Sequence, residues 1–118
     1  MNKIIGTITK FATIGCLLWS SSSSAAVSSV VTDVERTMVD SERFGGCMVL
    51  LADMPATLNC PDNWVSASCS GDFNSSNMGW RKFESAQIAK VADNRVRVYV
   101  DDGRKHNGRC FMLRIDLY

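Results

Sequence analysis

RVRVYVDDGRKHNGRCFMLRIDL, residues 95–117, holds two runs of strict period-two alternation joined by a polar segment. In the first run Val96, Val98 and Val100 point one way, while Arg95, Arg97 and Tyr99 point the other. In the second, Phe111, Leu113, Ile115 and Leu117 share one face and Cys110, Met112, Arg114 and Asp116 the opposite one. Successive side chains of a strand point to opposite sides, so this period marks strands with one buried face. The connecting segment, Asp101 to Gly108, carries Asp-Asp-Gly and Asn-Gly, which form turns because Gly and Asn accept a positive φ. The stretch predicts a β-hairpin whose valines, together with the Phe111 face, enter the core. The rest of the chain must cover that face.

Working outward, Met78 to Ala92 reads as a helix capped by Ser76 or Asn77. Its apolar residues Trp80, Phe83, Ala86, Ile88, Ala89 and Val91 form a broad stripe, and Asp93 and Asn94 stop it. Trp64 to Gly71 alternates as a strand, with Val65, Ala67 and Cys69 opposed to Trp64, Ser66 and Ser68. Phe44 to Ala52 is another strand, whose Gly45 and Gly46 indicate a bulge or a close backbone approach. Val27 to Val39, rich in Val and Thr, is a first, bent strand.

The N-terminal part is not expected to belong to the fold. Lys3 and Lys10 flank Ile4 and Ile5, the apolar run Phe11 to Trp19 follows, and Ser20 to Ala26 is small. This is the pattern of a secretory signal peptide over residues 1–26, cut after Ala26. The apolar run is well short of the ~20 residues that span a bilayer, so no membrane span is expected. Acylation of Cys16 as a lipoprotein is the weaker reading, because only Gly15 suits that motif and Lys10 interrupts the run. The expected protein is secreted or periplasmic, with a single domain from Val27 to Tyr118.

Of the five cysteines, Cys47, Cys60, Cys69 and Cys110 stay with that domain. Small exported domains are often stapled, and four cysteines imply two disulfides. A metal site competes poorly, since there is no C-x-x-C pair and only one histidine. No cofactor is expected. A formal net charge of +1 at pH 7, with no block of either sign, argues against nucleic acid as a partner.

The predicted order is β-β-β-α-β-β, a mainly β domain with one helix. That connectivity is the one of the OB-fold, a five-stranded Greek-key barrel. In it the second and third strands are antiparallel neighbours, and Cys47 and Cys69 lie symmetrically about their connection. The third and fifth strands run side by side in parallel, which brings Cys60 near Cys110. The expected disulfides are therefore Cys47–Cys69 and Cys60–Cys110, each contributing about 3 kcal/mol in the loop-entropy estimate.

Several short motifs point further. They are Ser28-Ser29-Val30-Val31, Cys47, Ser66-Ala67-Ser68-Cys69, the helix with Trp80, Phe83, Gln87 and Ala89, and Val96-Arg97-Val98-Tyr99. In these the chain resembles the B subunits of subtilase cytotoxin and of the pertussis-like typhoid toxin. The resemblance implies an OB-fold, assembly as a pentameric ring and binding of sialylated glycans. It also implies that Ser28 takes the place of a serine that contacts the sugar carboxylate. The chain departs from that pattern in a longer connection between Cys47 and Cys69, a shorter C-terminal part, and Val100 where an aromatic is usual.

Four residues stand out as candidate ligand contacts. Ser28 and Ser29 offer hydroxyl and backbone donors for a carboxylate, against the plainer reading of a polar strand edge. Trp64, opposed to Val65, is read as the exposed tryptophan and a stacking platform for a sugar ring, while Trp80 is read as packing. His106 lies in the dense polar segment Asp101–Gly108 and is a candidate recognition group, against the plainer reading of a solvated turn. Arg95, Arg97 and Tyr99 form an outward row suited to a subunit interface. A hydrolase would need a nucleophile and an acid converging on His106, and spacing shows neither. The expected function is a non-catalytic binding protein that recognises a glycan or host-surface receptor, as a homo-oligomer. The alternative is a stand-alone OB-fold protein that binds a protein partner in the envelope.

Overall fold

The computed structural model describes residues 25–118. The expected signal segment falls outside that range except for Ala25 and Ala26. The hairpin is present as β5 (Val96–His106) and β6 (Arg109–Leu117), paired antiparallel. Its first face is as predicted, with Val96, Val98 and Val100 fully buried. Its second face is so only in part: Ile115 packs against the core and Phe111 is buried, but Leu113 and Leu117 are exposed. Tyr99 pairs with Arg114 but Val100 pairs with Met112, so Leu113 is an extra residue on β6. Such a bulge shifts the alternation by one and exchanges the faces. Cys110 and Met112 therefore enter the core, and Phe111 is turned to the other side of the sheet.

The segment between the strands also differs from the prediction. β5 continues through Asp101 to His106, and only Asn107 and Gly108 make the turn. Both have left-handed φ, 49° and 83°, as a two-residue hairpin turn requires. The residues expected in a loop are held by Asp101, whose carboxylate accepts from the Gly103 N–H and from Arg104 Nε, both at 2.8 Å.

The remaining strands are β1 (Val27–Thr32), β2 (Val34–Val39), β3 (Cys47–Leu51) and β4 (Trp64–Ser66). All six form one sheet in the order β1-β5-β6-β4-β3-β2. The single bent strand expected at the start is thus two strands broken at Asp33, giving six rather than five. Asp33 bends the chain because its carbonyl accepts from the Ala52 N–H at 3.0 Å while Thr32 Oγ1 accepts from the Asp53 N–H at 2.9 Å. β3 is antiparallel to β4, and β4 is parallel to β6, as predicted; β3 also pairs antiparallel with β2. β4 is shorter than expected, because Ser68 takes a left-handed φ of 57° and turns the chain away.

The helix α1 (Ser76–Ala92) is capped by Ser75, whose hydroxyl accepts from the Met78 N–H at 3.1 Å. It ends at Asp93, left-handed at φ 55°, whose N–H bonds back to the last turn. Phe83, Ala86 and Ala89 close the core against Val49, Leu51, Val65, Val98 and Met112. Burying a side chain such as Phe83 stabilises the fold by about 1.5–3 kcal/mol. The rest of the expected stripe, Trp80, Ile88 and Val91, is exposed.

The disulfides are Cys47–Cys69 and Cys60–Cys110, as predicted. They are compatible with an extracellular or periplasmic protein. Among the described residues no helix is long and apolar enough to cross a membrane.

Candidate functional site

Between the Asp40–Gly46 turn and the start of α1 lies a cleft of about 630 Å³, lined by Val39, Asp40, Ser41, Glu42, Arg43, Gly46, Cys69, Ser70 and Trp80. The turn is rigid for local reasons. The Asp40 N–H donates to the Gly46 carbonyl at 3.0 Å, the Gly45 N–H to the Glu42 carbonyl at 3.2 Å, and the Ser70 N–H to the Gly45 carbonyl at 2.9 Å. Gly45 has φ 79° and lies where a Cβ would meet Ser66 Oγ at 2.5 Å and His106 Cδ2 at 2.6 Å. This is the close backbone approach expected for the glycine pair. The Cys47–Cys69 bond ties the two walls together.

Trp80 forms the helix side of the cleft. It is 38% exposed, and its ring meets Phe83 edge-on at 5.7 Å between centroids. The expectation for the two tryptophans is thereby reversed. Trp64 does point away from the core, but beside Leu50 it is half-buried, whereas Trp80 is open. Helical periodicity does not separate a residue at the edge of a stripe from one inside it. Among the described residues, both carboxylate oxygens of Asp40 are buried without a hydrogen-bond partner, which for a charged group costs more than the about 1–3 kcal/mol of a neutral one.

His106 is not in an exposed loop. It is buried at the end of β5, its ring 4.3 Å from that of Phe73. Its Nε2 lies 3.3 Å from Ser68 Oγ, and its Nδ1 lies 3.7 Å from Asp72 Oδ2. The order Ser-His-Asp is that of a hydrolytic triad, and spacing did not reveal it because Ser68 is 38 residues away in the chain. The site is closed, however. Ser68 is fully buried, its Oγ accepts from the Phe73 N–H at 3.1 Å, and the Gly45 backbone leaves no room for a side chain beside the imidazole. The Asp72 contact exceeds hydrogen-bonding distance. Burial pushes the His106 pKa below 6.5, against the opposing pull of Asp72 and Asp40. As it stands, the cluster packs Phe73 and Phe111 rather than presenting a nucleophile.

The other expected contacts are not brought together. Ser28 pairs with Val100 and Ser29 with Tyr99, so their side chains face opposite sides of β1. β5 and β6 lie between β1 and the strand carrying Trp64. Arg95, Arg97 and Tyr99 do form an outward row, with Arg114 over the Tyr99 ring at 5.1 Å and Arg97 bonded to Tyr118. The chain matches no protein-family model, no curated protein and no solved structure.

Proposed function

We propose that the chain is an exported, non-catalytic binding protein that recognises a glycan in the Trp80 cleft. The observation that carries this reading is an open indole beside a rigid, polar-walled cleft. A sugar presents an apolar ring face to stack on an aromatic and hydroxyls to bond at its edge. Glu42, Arg43, Ser41 and Ser70, which line the cleft, supply donors and acceptors for sugar hydroxyls. A wall cross-linked by a disulfide loses little conformational freedom when a ligand binds, which favours affinity. The resemblance to toxin B subunits agrees with glycan recognition, although the cleft lies away from Ser28 and Ser29.

The topology fits the OB-fold barrel of that reading. β1 and β2, the two edges of the sheet, are joined through Asp33 alone, so one bent strand would close five into a barrel. A ring of copies would turn weak single sites into avid binding.

The test is a glycan array probed with the oxidised protein and with Trp80→Ala. Binding to a defined glycan class that falls at least tenfold in the variant, with its melting curve unchanged, supports the reading. An array without a hit, or a hit indifferent to Trp80→Ala, overturns it. The second reading, a stand-alone protein that binds a protein partner, is favoured by one observation. Ile88 and Val91 leave an apolar strip exposed near the C-terminal end of α1.

A further inference from the structure

On the other flank of α1, a groove of about 480 Å³ is lined by Met78, Lys82, Tyr99, Leu113, Arg114 and Ile115. Three features set it apart from ordinary surface. The first is the bulge in β6. It turns Leu113 out of the alternation, leaving it 41% exposed and facing the same groove as Met78, which is 49% exposed. Bulges commonly re-aim a side chain beside a binding site.

The second feature is charge. The charged residues lining the groove are both cations, Lys82 and Arg114. The third is the state of Lys82. It is buried, yet among the described residues its Nζ bonds only neutral acceptors, Asn74 Oδ1 and the Met112 carbonyl, and sits 4.2 Å from the Phe111 ring centroid. Arg104 lies over the same ring at 4.6 Å and adds like charge. Burial first, and Arg104 second, lower the Lys82 pKa to about 8. A buried ammonium is normally matched by an anion, and here none is supplied by the groove.

We propose that this groove binds a small amphipathic carboxylic acid, its carboxylate between Arg114 and Lys82 and its hydrocarbon chain on Met78, Leu113 and Ile115. The match is one of sign and shape. A carboxylate supplies the missing anion and pairs with a guanidinium that already reaches over Tyr99, and the chain covers the two exposed apolar side chains. Arg114 must exchange its bond to Asp116, 2.8 Å long and exposed, for the ligand. That exchange is inexpensive because exposed ion pairs contribute little.

The experiment is a methyl and amide NMR titration of the oxidised protein with octanoate, and with octanol as the neutral control. Octanoate should give saturable shifts at Met78 and Leu113, raise the Lys82 pKa and bind at least tenfold more tightly than octanol. Leu113→Glu and Arg114→Gln alter exposed side chains, so folding is retained, and each should weaken octanoate at least tenfold. Lys82→Met should remove its preference over octanol. Shifts confined to the Trp80 cleft, equal binding of octanol, or octanoate binding untouched by Leu113→Glu would each overturn the proposal. None of these results bears on glycan binding at Trp80.

Discussion

Replacing Gly79 with Ala tests how the cleft is built. An ideal Cβ at Gly79 would lie 2.5 Å from the Ser68 carbonyl oxygen, 2.7 Å from its carbon and 2.8 Å from Cys69 Cα. All three are backbone atoms, so no side chain can rotate aside. Nor can that backbone shift easily. Cys69 is bonded to Cys47, its carbonyl accepts from Ser76 Oγ at 2.7 Å, and the Ser68 carbonyl accepts from Asn74 Nδ2 at 3.0 Å. Two effects of opposite sign compete. Ala is favoured over Gly within a helix by about 1 kcal/mol. Overpacking a well-filled site costs about 1–3 kcal/mol, and contacts this short against tethered backbone lie at the upper end or beyond. The expected net loss is about 2 kcal/mol, or a fall of roughly 8–16 °C in Tm for a domain of this size. The assay is thermal and urea unfolding of the oxidised protein followed by circular dichroism, together with the tryptophan emission spectrum. The helix start must lift away, so the emission of Trp80, the next residue, should shift in the native state. A variant as stable as the parent, or more so, would refute the reasoning, because α1 would then not be seated on Ser68 and Cys69.

The disulfides should differ in weight. With sequence separations of 50 and 22, the loop-entropy model makes loss of Cys60–Cys110 costlier than loss of Cys47–Cys69 by about 0.7 kcal/mol. Urea midpoints of the two double-alanine variants check the order, and a reversed order would mean that native-state contacts outweigh chain entropy. The folded protein holds the His106 pKa below 6.5, so the unfolded chain binds more protons between those values. Stability should therefore fall as pH drops below about 6.5, and His106→Gln should flatten that slope, measured as urea midpoints from pH 7.5 to 5. An equal slope in the variant would assign the acid sensitivity to another group.

Much of the chain could be read locally. The alternation of Val96, Val98 and Val100, the stop at Asp93 and Asn94, and the turn at Asn107-Gly108 depend on neighbours within a few residues. The helix cap is Ser75 where Ser76 or Asn77 was expected, a shift of one or two residues within the usual uncertainty of helix ends. The cysteine pairing followed from strand order, because neighbouring strands dictate which thiols meet. The candidate site was less legible. Its polar wall, Asp40 to Arg43, looks like any turn, and Trp80 carries the same helical phase as buried residues. The proximity of Ser68 and His106 exists only because β4 and β6 are parallel neighbours.

The sequence by itself determined a mainly β chain with one helix and the two disulfides, because these rest on periodicity and on the pairing that strand order implies; the break at Asp33, which makes six strands of the expected five, came only with the structure. Only the tertiary structure decided which side of each element is covered. One bulge residue, Leu113, moved Met112 into the helix-side core and turned Phe111 to the other side of the sheet, where it is buried against Phe73. Packing of α1 against the sheet left Trp80 open, and the Asp40–Gly46 and Ser68–Phe73 segments buried His106. Exposure is a property of what lies opposite a residue in space, and one extra residue or one turn elsewhere in the chain is enough to reverse it.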